Sequence, residues 1–151
     1  MKNELTKSSL EKAIGCTYIL LIYLYQPHCL LIGKLGWNHF KEGYYLYIGS
    51  AKKLMKQRLK RHLRRQKNRF WHIDYLLSDP SPSVIKDIWL NQIPCECSVA
   101  QELFQNKFCM PVKKGFGSSD CQCISHLFRI YESDIDIPYQ LLLKMKFYSL
   151  R

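Results

Sequence analysis

A tyrosine-rich run, Tyr44-Tyr45-Leu46-Tyr47-Ile48-Gly49, is followed within a few turns of chain by Arg58 and His62. Phenols, a guanidinium and an imidazole near one strand-to-helix turn are groups that can hold and polarise a phosphodiester. The surroundings are cationic: positions 52–69 carry ten Lys or Arg and no Asp or Glu. Such blocks meet phosphate backbones or acidic surfaces, with nucleic acid ahead of an anionic membrane or an acidic protein. Lys52, Lys53, Lys56, Lys60, Arg61, Arg64 and Arg65 are the candidate backbone-binding residues. The whole chain, 151 residues, carries a formal net charge of +11.

A second chemistry-bearing string lies far away, Gly115-Phe116-Gly117-Ser118-Ser119-Asp120-Cys121-Gln122-Cys123-Ile124-Ser125-His126. Two thiolates and an imidazole within six residues can reach one zinc ion, and Cys97 can supply a fourth ligand. The competing reading is a tight glycine loop in which Asp120 caps a turn and His126 bonds locally. His72 and Asp74 are further candidates to line a cleft, with Trp71 beside them as a packing residue. Seven cysteines without a secretory signal predict reduced thiols rather than a disulfide framework. No cysteine has a local base partner, which argues against a thiol nucleophile.

These groups need a scaffold. Thr17 to Leu24 and Cys29 to Ile32 read as strands around a turn at residues 26–28. Gly33 to Gly43 reads as loop or short strand, and Tyr44 to Ile48 as a third strand of an antiparallel meander. Alternation puts Tyr45 and Tyr47 on one face, and Tyr44, Leu46 and Ile48 on the other. Lys53 to Arg65 reads as a helix whose buried stripe is Met55, Leu59 and Leu63, with Arg58 and His62 sharing a neighbouring face. Phe70 to Leu77 reads as a short helix or turn, 78–83 as a loop, Val84 to Leu90 as a strand and Glu96 to Gln105 as a helix. Residues 109–125 read as loop and Leu127 to Tyr131 as a last strand. An acidic cluster, Glu132, Asp134 and Asp136, then precedes a helix-like stretch. The sum is an α+β fold, a small mixed or antiparallel β-sheet flanked by helices. It divides into an arm at 1–12, one domain at 13–131 and a C-terminal extension at 132–151. No apolar run reaches the roughly 18 residues of a membrane span, and the polar start does not resemble a secretory signal. The expectation is a soluble, cytoplasmic protein without a membrane partner.

Cys16-Thr17-Tyr18, Tyr47-Ile48-Gly49, Arg58 and His62 together resemble the GIY-YIG nuclease pattern. Trp71-His72-Ile73-Asp74-Tyr75-Leu76-Leu77, Glu96-Cys97 and Gly115 to Cys121 resemble further motifs of its DUF123 branch. The resemblance covers about residues 14 to 131. One departure stands in the first motif, where the glycine, Gly15, comes one position early. The resemblance implies a GIY-YIG-like fold and metal-assisted hydrolysis of a nucleic-acid backbone. Tyr18 and Tyr47 would help to activate water, Arg58 would stabilise phosphate charge, and Glu96 would bind Mg²⁺ or Mn²⁺. His62 matches the histidine one turn beyond the arginine. Neighbouring Arg and Lys are expected to lower the pKa of the tyrosines. Relatives joined to a DNA-repair glycosylase favour DNA over RNA and a DNA-repair protein as partner. Two other classes compete. One is a non-catalytic nucleic-acid-binding module resting on the basic helix. The other is a small-molecule or RNA-modifying enzyme with a closed pocket of His72, Asp74, Asp120 and His126.

Overall fold

The computed structural model describes residues 5, 7–131 and 136–150. A long apolar run, Thr17–Leu24, forms β1, and seven of its eight residues are buried. That density of burial requires cover on both faces, and the chain supplies it. β1 is an inner strand of a six-stranded sheet in the order β6-β7-β4-β1-β5-β8, antiparallel at every pairing. Its neighbours are β4 (Gly43–Ser50) and β5 (Ser83–Asn91), followed outward by β7 (Leu127–Ile130) and β6 (Cys109–Pro111) on one side. β8 (Tyr148–Ser149) closes the other side.

One face carries Leu20, Ile22, Tyr45 and Tyr47. It packs against α2 (Met55–Leu63) through Met55 and Leu59, and against α3 (His72–Leu77) through Ile73, Leu76 and Leu77. The other face carries Ile19, Leu21, Leu46 and Ile48. It packs against α4 (Glu96–Gln105) through Val99, Ala100 and Leu103, and against α5 (Ile137–Lys144) through Leu142. A short α1 (Lys7–Glu11) sits beside α2, where Glu11 pairs with Lys56 and Lys60 at 3.0 and 3.4 Å.

The expected α+β fold with helices flanking one sheet is present, with the sheet antiparallel rather than mixed. The opening meander differs in detail. β2 (His28–Leu31) and β3 (Trp37–Phe40) form a separate two-stranded sheet, and β1 pairs directly with β4 across that excursion. The stretch read as a C-terminal extension is woven in. β8 hydrogen-bonds to β5, and the Ser149 hydroxyl donates to the buried carboxylate of Asp87 at 2.8 Å. Glu132 and Asp134 lie outside the described residues. Among the described residues no helix is long and apolar enough to cross a membrane.

Candidate functional site

The site forms where β1 begins and β4 and β5 end. Cys16 donates its N–H to the Asn91 carbonyl, and the Ala51 N–H donates to the Cys16 carbonyl, both at 2.9 Å. Thr17 Oγ1 donates to the Ile93 carbonyl and accepts from the Cys95 N–H, each at 2.9 Å. These bonds lock the first residues of β1 to the first turn of α4, so Tyr18 and Glu96 arrive on the same cleft. Gly15 is forced here: a Cβ on it would stand 2.7 Å from the Asn91 carbonyl oxygen. The displaced glycine of the first motif thus answers to a close backbone approach, while Tyr18 still reaches the cleft.

Tyr18 lies directly opposite Gly49 in the β1–β4 register. Its ring crosses the neighbouring strand at Gly49, where a Cβ would fall 2.2 Å from Tyr18 Cζ. The glycine of Tyr47-Ile48-Gly49 therefore makes room for a tyrosine from another strand. The Tyr18 hydroxyl sits 2.7 Å from His62 Nε2. The Tyr47 ring flanks both, with centroids 6.3 Å from Tyr18 and 6.2 Å from His62.

Arg58 projects from α2 with Nη1 donating to the Ser50 carbonyl at 2.6 Å, and its guanidinium lies 4.6 Å from the centroid of Trp71. Trp71 also has Arg61 over its ring at 4.9 Å. It packs, as expected, and it also lines the cleft and supports the arginine aimed into it. Glu96 enters as the first residue of α4, where the helix end favours a carboxylate. Tyr18, Tyr47, Arg58 and Glu96 thus line one cleft of about 410 Å³, with Gly49, Ser50, Phe70, Trp71, His72, Gly117, Ser119 and Asp120 completing the wall.

The electrostatics correct one expectation. Burial pushes the Tyr18 phenol well above its ordinary value, with nearby Tyr47 and Glu96 adding to the rise, and Arg58 opposes this without cancelling it. Tyr47 is raised too, by burial first and then by Glu96 and Asp74. Arg58 therefore does not bring these phenols below their ordinary value, because desolvation of a buried phenolate outweighs its attraction. His62 is 1% exposed and is pushed down to about 3, first by burial and then by Lys67. It is a neutral partner of Tyr18 rather than a surface cation on the basic face. For Glu96, burial raises the carboxyl. Contacts with His126 and Ser50 and the charge of Arg58 outweigh that, so it stays ionised below its usual range.

The basic residues divide into two sets. Lys52, Lys53 and Arg64 are exposed, and Lys56 and Lys60 meet Glu11. Arg61 binds the buried Asp74 at 2.6 Å and the Asn68 carbonyl at 2.7 Å. Arg65 ties down the 78–83 loop through the Ser81, Ser83 and Leu77 carbonyls and Asp79. These two guanidiniums hold the protein to itself. Asp74 accepts from the Phe70 and Trp71 N–H groups at 2.8 and 2.9 Å, so it fixes the start of α3 instead of lining the cleft. His72 does line it, and its Nδ1 accepts from the Gly117 N–H at 3.0 Å.

The second string closes over the same place. Gly117 has φ 69°, and a Cβ on it would press on Tyr47 and His126 at 3.1 and 3.2 Å. Cys97, Cys121, Cys123 and His126 meet, with one ligand atom from each lying within 4.8 Å of the others, a cluster that could hold a metal ion. All seven cysteines of the chain are free thiols. Burial pushes Cys123 up to about 12 and raises Cys97 as well.

A family model, "Domain of unknown function DUF123", matches residues 17–145, well over half of the chain. The chain belongs to the DUF123 family. No curated protein and no solved structure matches it. The DUF123 match runs from the start of β1 past α5, so it takes in both the cleft and the cysteine cluster. Sequence reasoning missed two contributors to this DUF123 cleft. Asp120, expected in the alternative pocket reading, does line the cleft and brings a second carboxylate, while Ser119 beside it adds a hydroxyl that was not singled out. Phe70, 79% exposed, puts a ring at the rim. It was masked by its place next to a run of core residues.

Proposed function

We propose that this DUF123 protein is a GIY-YIG-type, metal-dependent endonuclease acting on DNA phosphodiesters, with a role in DNA repair. The observation that carries the reading is the convergence of Tyr18, Tyr47, Arg58 and Glu96, from four separate elements, on one cleft. Arg58 holds a non-bridging phosphate oxygen, its guanidinium already aimed by Ser50 and Trp71. Glu96 is ionised and beside the cleft, with Asp120 on the same lining. One or two carboxylates with substrate phosphates suit Mg²⁺ or Mn²⁺, which when bound neutralises charge on the phosphate and acidifies water.

Both phenols are protonated at neutral pH, so neither acts as a free phenolate. With the ring proton of His62 on Nδ1, the Tyr18 hydroxyl donates to Nε2. Held this way, the Tyr18 hydroxyl oxygen can accept a hydrogen bond from the attacking water and orient it, while its own proton stays in the bond to the neutral His62. Tyr47, packed against both rings, orients that pair. The exposed Phe70 ring offers a stacking face for a base beside the scissile phosphate.

For the Cys97, Cys121, Cys123 and His126 cluster we propose zinc. Three thiolates and one imidazole are a closed tetrahedral set of the structural kind.

The test is nicking of structured or damaged DNA by the purified protein with Mg²⁺ or Mn²⁺. Arg58→Ala is expected to lose about 10²–10³-fold in rate, the cost of removing one preorganised donor. Equal nicking by the variant overturns the assignment. Salt-dependent DNA binding without any cutting, by either protein, leaves a nucleic-acid-binding module in its place.

A further inference from the structure

His126 is 1% exposed, and its two ring nitrogens face different centres. Nε2 lies 3.6 Å from Cys121 Sγ, inside the cysteine cluster. Nδ1 lies 2.9 Å from Glu96 Oε1, on the carboxylate that lines the cleft. That contact is a close approach by distance only, and among the described residues the buried Nδ1 has no hydrogen-bond partner. We propose that His126 is a positioning residue that couples the two centres: zinc bound at its Nε2 sets where the Glu96 carboxylate stands.

A histidine that binds zinc through one nitrogen keeps its proton on the other. That N–H is commonly given to a carboxylate, which fixes both the tautomer and the ring plane. Here the carboxylate within reach of that N–H, Glu96, is a cleft residue. The chain reinforces the link. Glu96 and Cys97 are adjacent at the start of α4, so the same helix end faces both centres. The His126 carbonyl accepts from the Ile48 N–H and its own N–H donates to the Phe116 carbonyl, which leaves the backbone little freedom to drift. Zinc uptake releases the protons of three thiols to solvent and changes no oxidation state.

The inference rests on the zinc assignment above and is independent of hydrolysis. The full-length protein is loaded with zinc, its metal content is measured, and its affinity is read by competition with a chromogenic chelator. One zinc per chain is expected. Glu96→Gln is expected to weaken zinc binding by about 10–100-fold, the usual effect of losing such an outer partner. It should also shift the ¹⁵N resonances of His126, while melting of the zinc-loaded variant shows that the fold persists. Wild-type affinity with unmoved His126 resonances in Glu96→Gln overturns the coupling, as does failure to take up stoichiometric zinc. A protein that shows the coupling but cuts no DNA refutes the nuclease reading alone. One that cuts DNA while Glu96→Gln leaves zinc untouched refutes the coupling alone.

Discussion

Gly49 and Tyr18 show how one residue type can exist for another's sake. Nothing about the Gly49 backbone requires glycine through a positive φ; the space above it is already filled by the Tyr18 ring. A methyl there must displace a fully buried ring, not the loose end of a surface chain. Gly49→Ala is therefore expected to destabilise the fold by about 1–3 kcal/mol, the range for overpacking a tight core. It should also break the Tyr18–His62 contact; denaturant melts and the tyrosine fluorescence of the variant would report both. His62 carries a second prediction. Its folded-state pKa is about 3, whereas in the unfolded chain it is near 6.5. Below 6.5 the unfolded chain gains a proton that the folded chain refuses. Stability is then full above pH 6.5 and falls as the pH drops towards 3. Glu96, held below 4.5, adds to the loss at the acid end, and burial of His72 acts in the same direction. The comparison is with His62→Gln, whose stability should be flatter between pH 6.5 and 4.5. Equal slopes for the two proteins would remove the buried neutral histidine from the account.

Among the elements, those with dense signals were legible in the sequence. β1 announced itself by eight consecutive residues with a continuous apolar interior, and α4 by apolar spacing after a turn, and both fall at the expected bounds. The basic helix is shorter than expected, Met55–Leu63, because Arg64 already takes an extended backbone and the Lys67 side chain caps the His62 carbonyl. β8 was illegible: two residues carry no periodicity, and only the unpaired edge of β5 calls for them. Asp74 and Arg61 could be read as site residues because sequence cannot show that they satisfy each other. The candidate cleft was legible in its tyrosines, arginine and glutamate, whose spacing follows a pattern. It was not legible in Phe70 or Ser119, which owe their positions to loops. The C-terminal elements support a prediction at this scale. Removing residues 137–151 takes the Ser149 hydroxyl from Asp87 and uncovers the face where Leu142 packs. Such a truncation is expected to cost several kcal/mol and to give an insoluble or poorly cooperative protein. A truncated chain with wild-type melting would show the tail to be an appendage after all.

For the whole molecule, a net charge of +11 sets long-range attraction to polyanions, yet that charge is unevenly free. Within the basic segment, Arg61 and Arg65 are held in internal bonds, whereas Lys52, Lys53 and Arg64 are exposed and can meet a backbone. DNA affinity should fall steeply with salt, and substitution of Lys52 and Lys53 together should shallow that dependence. Phe70→Ala should instead weaken single-stranded binding by about 1–3 kcal/mol at every salt concentration. Fluorescence anisotropy on labelled oligonucleotides separates the two, and unchanged affinity for Phe70→Ala would take the ring out of the interface.

The tether between Thr17 and the Ile93–Cys95 segment joins residues 76 and 78 positions apart. A contact of that separation is entropically slow to close and waits on the strands between. On a ribosome, Tyr18, Tyr47 and Arg58 emerge long before Glu96, and His126 later still. The lining of the cleft is therefore complete only after Asp120 has been made, well past the midpoint of the chain.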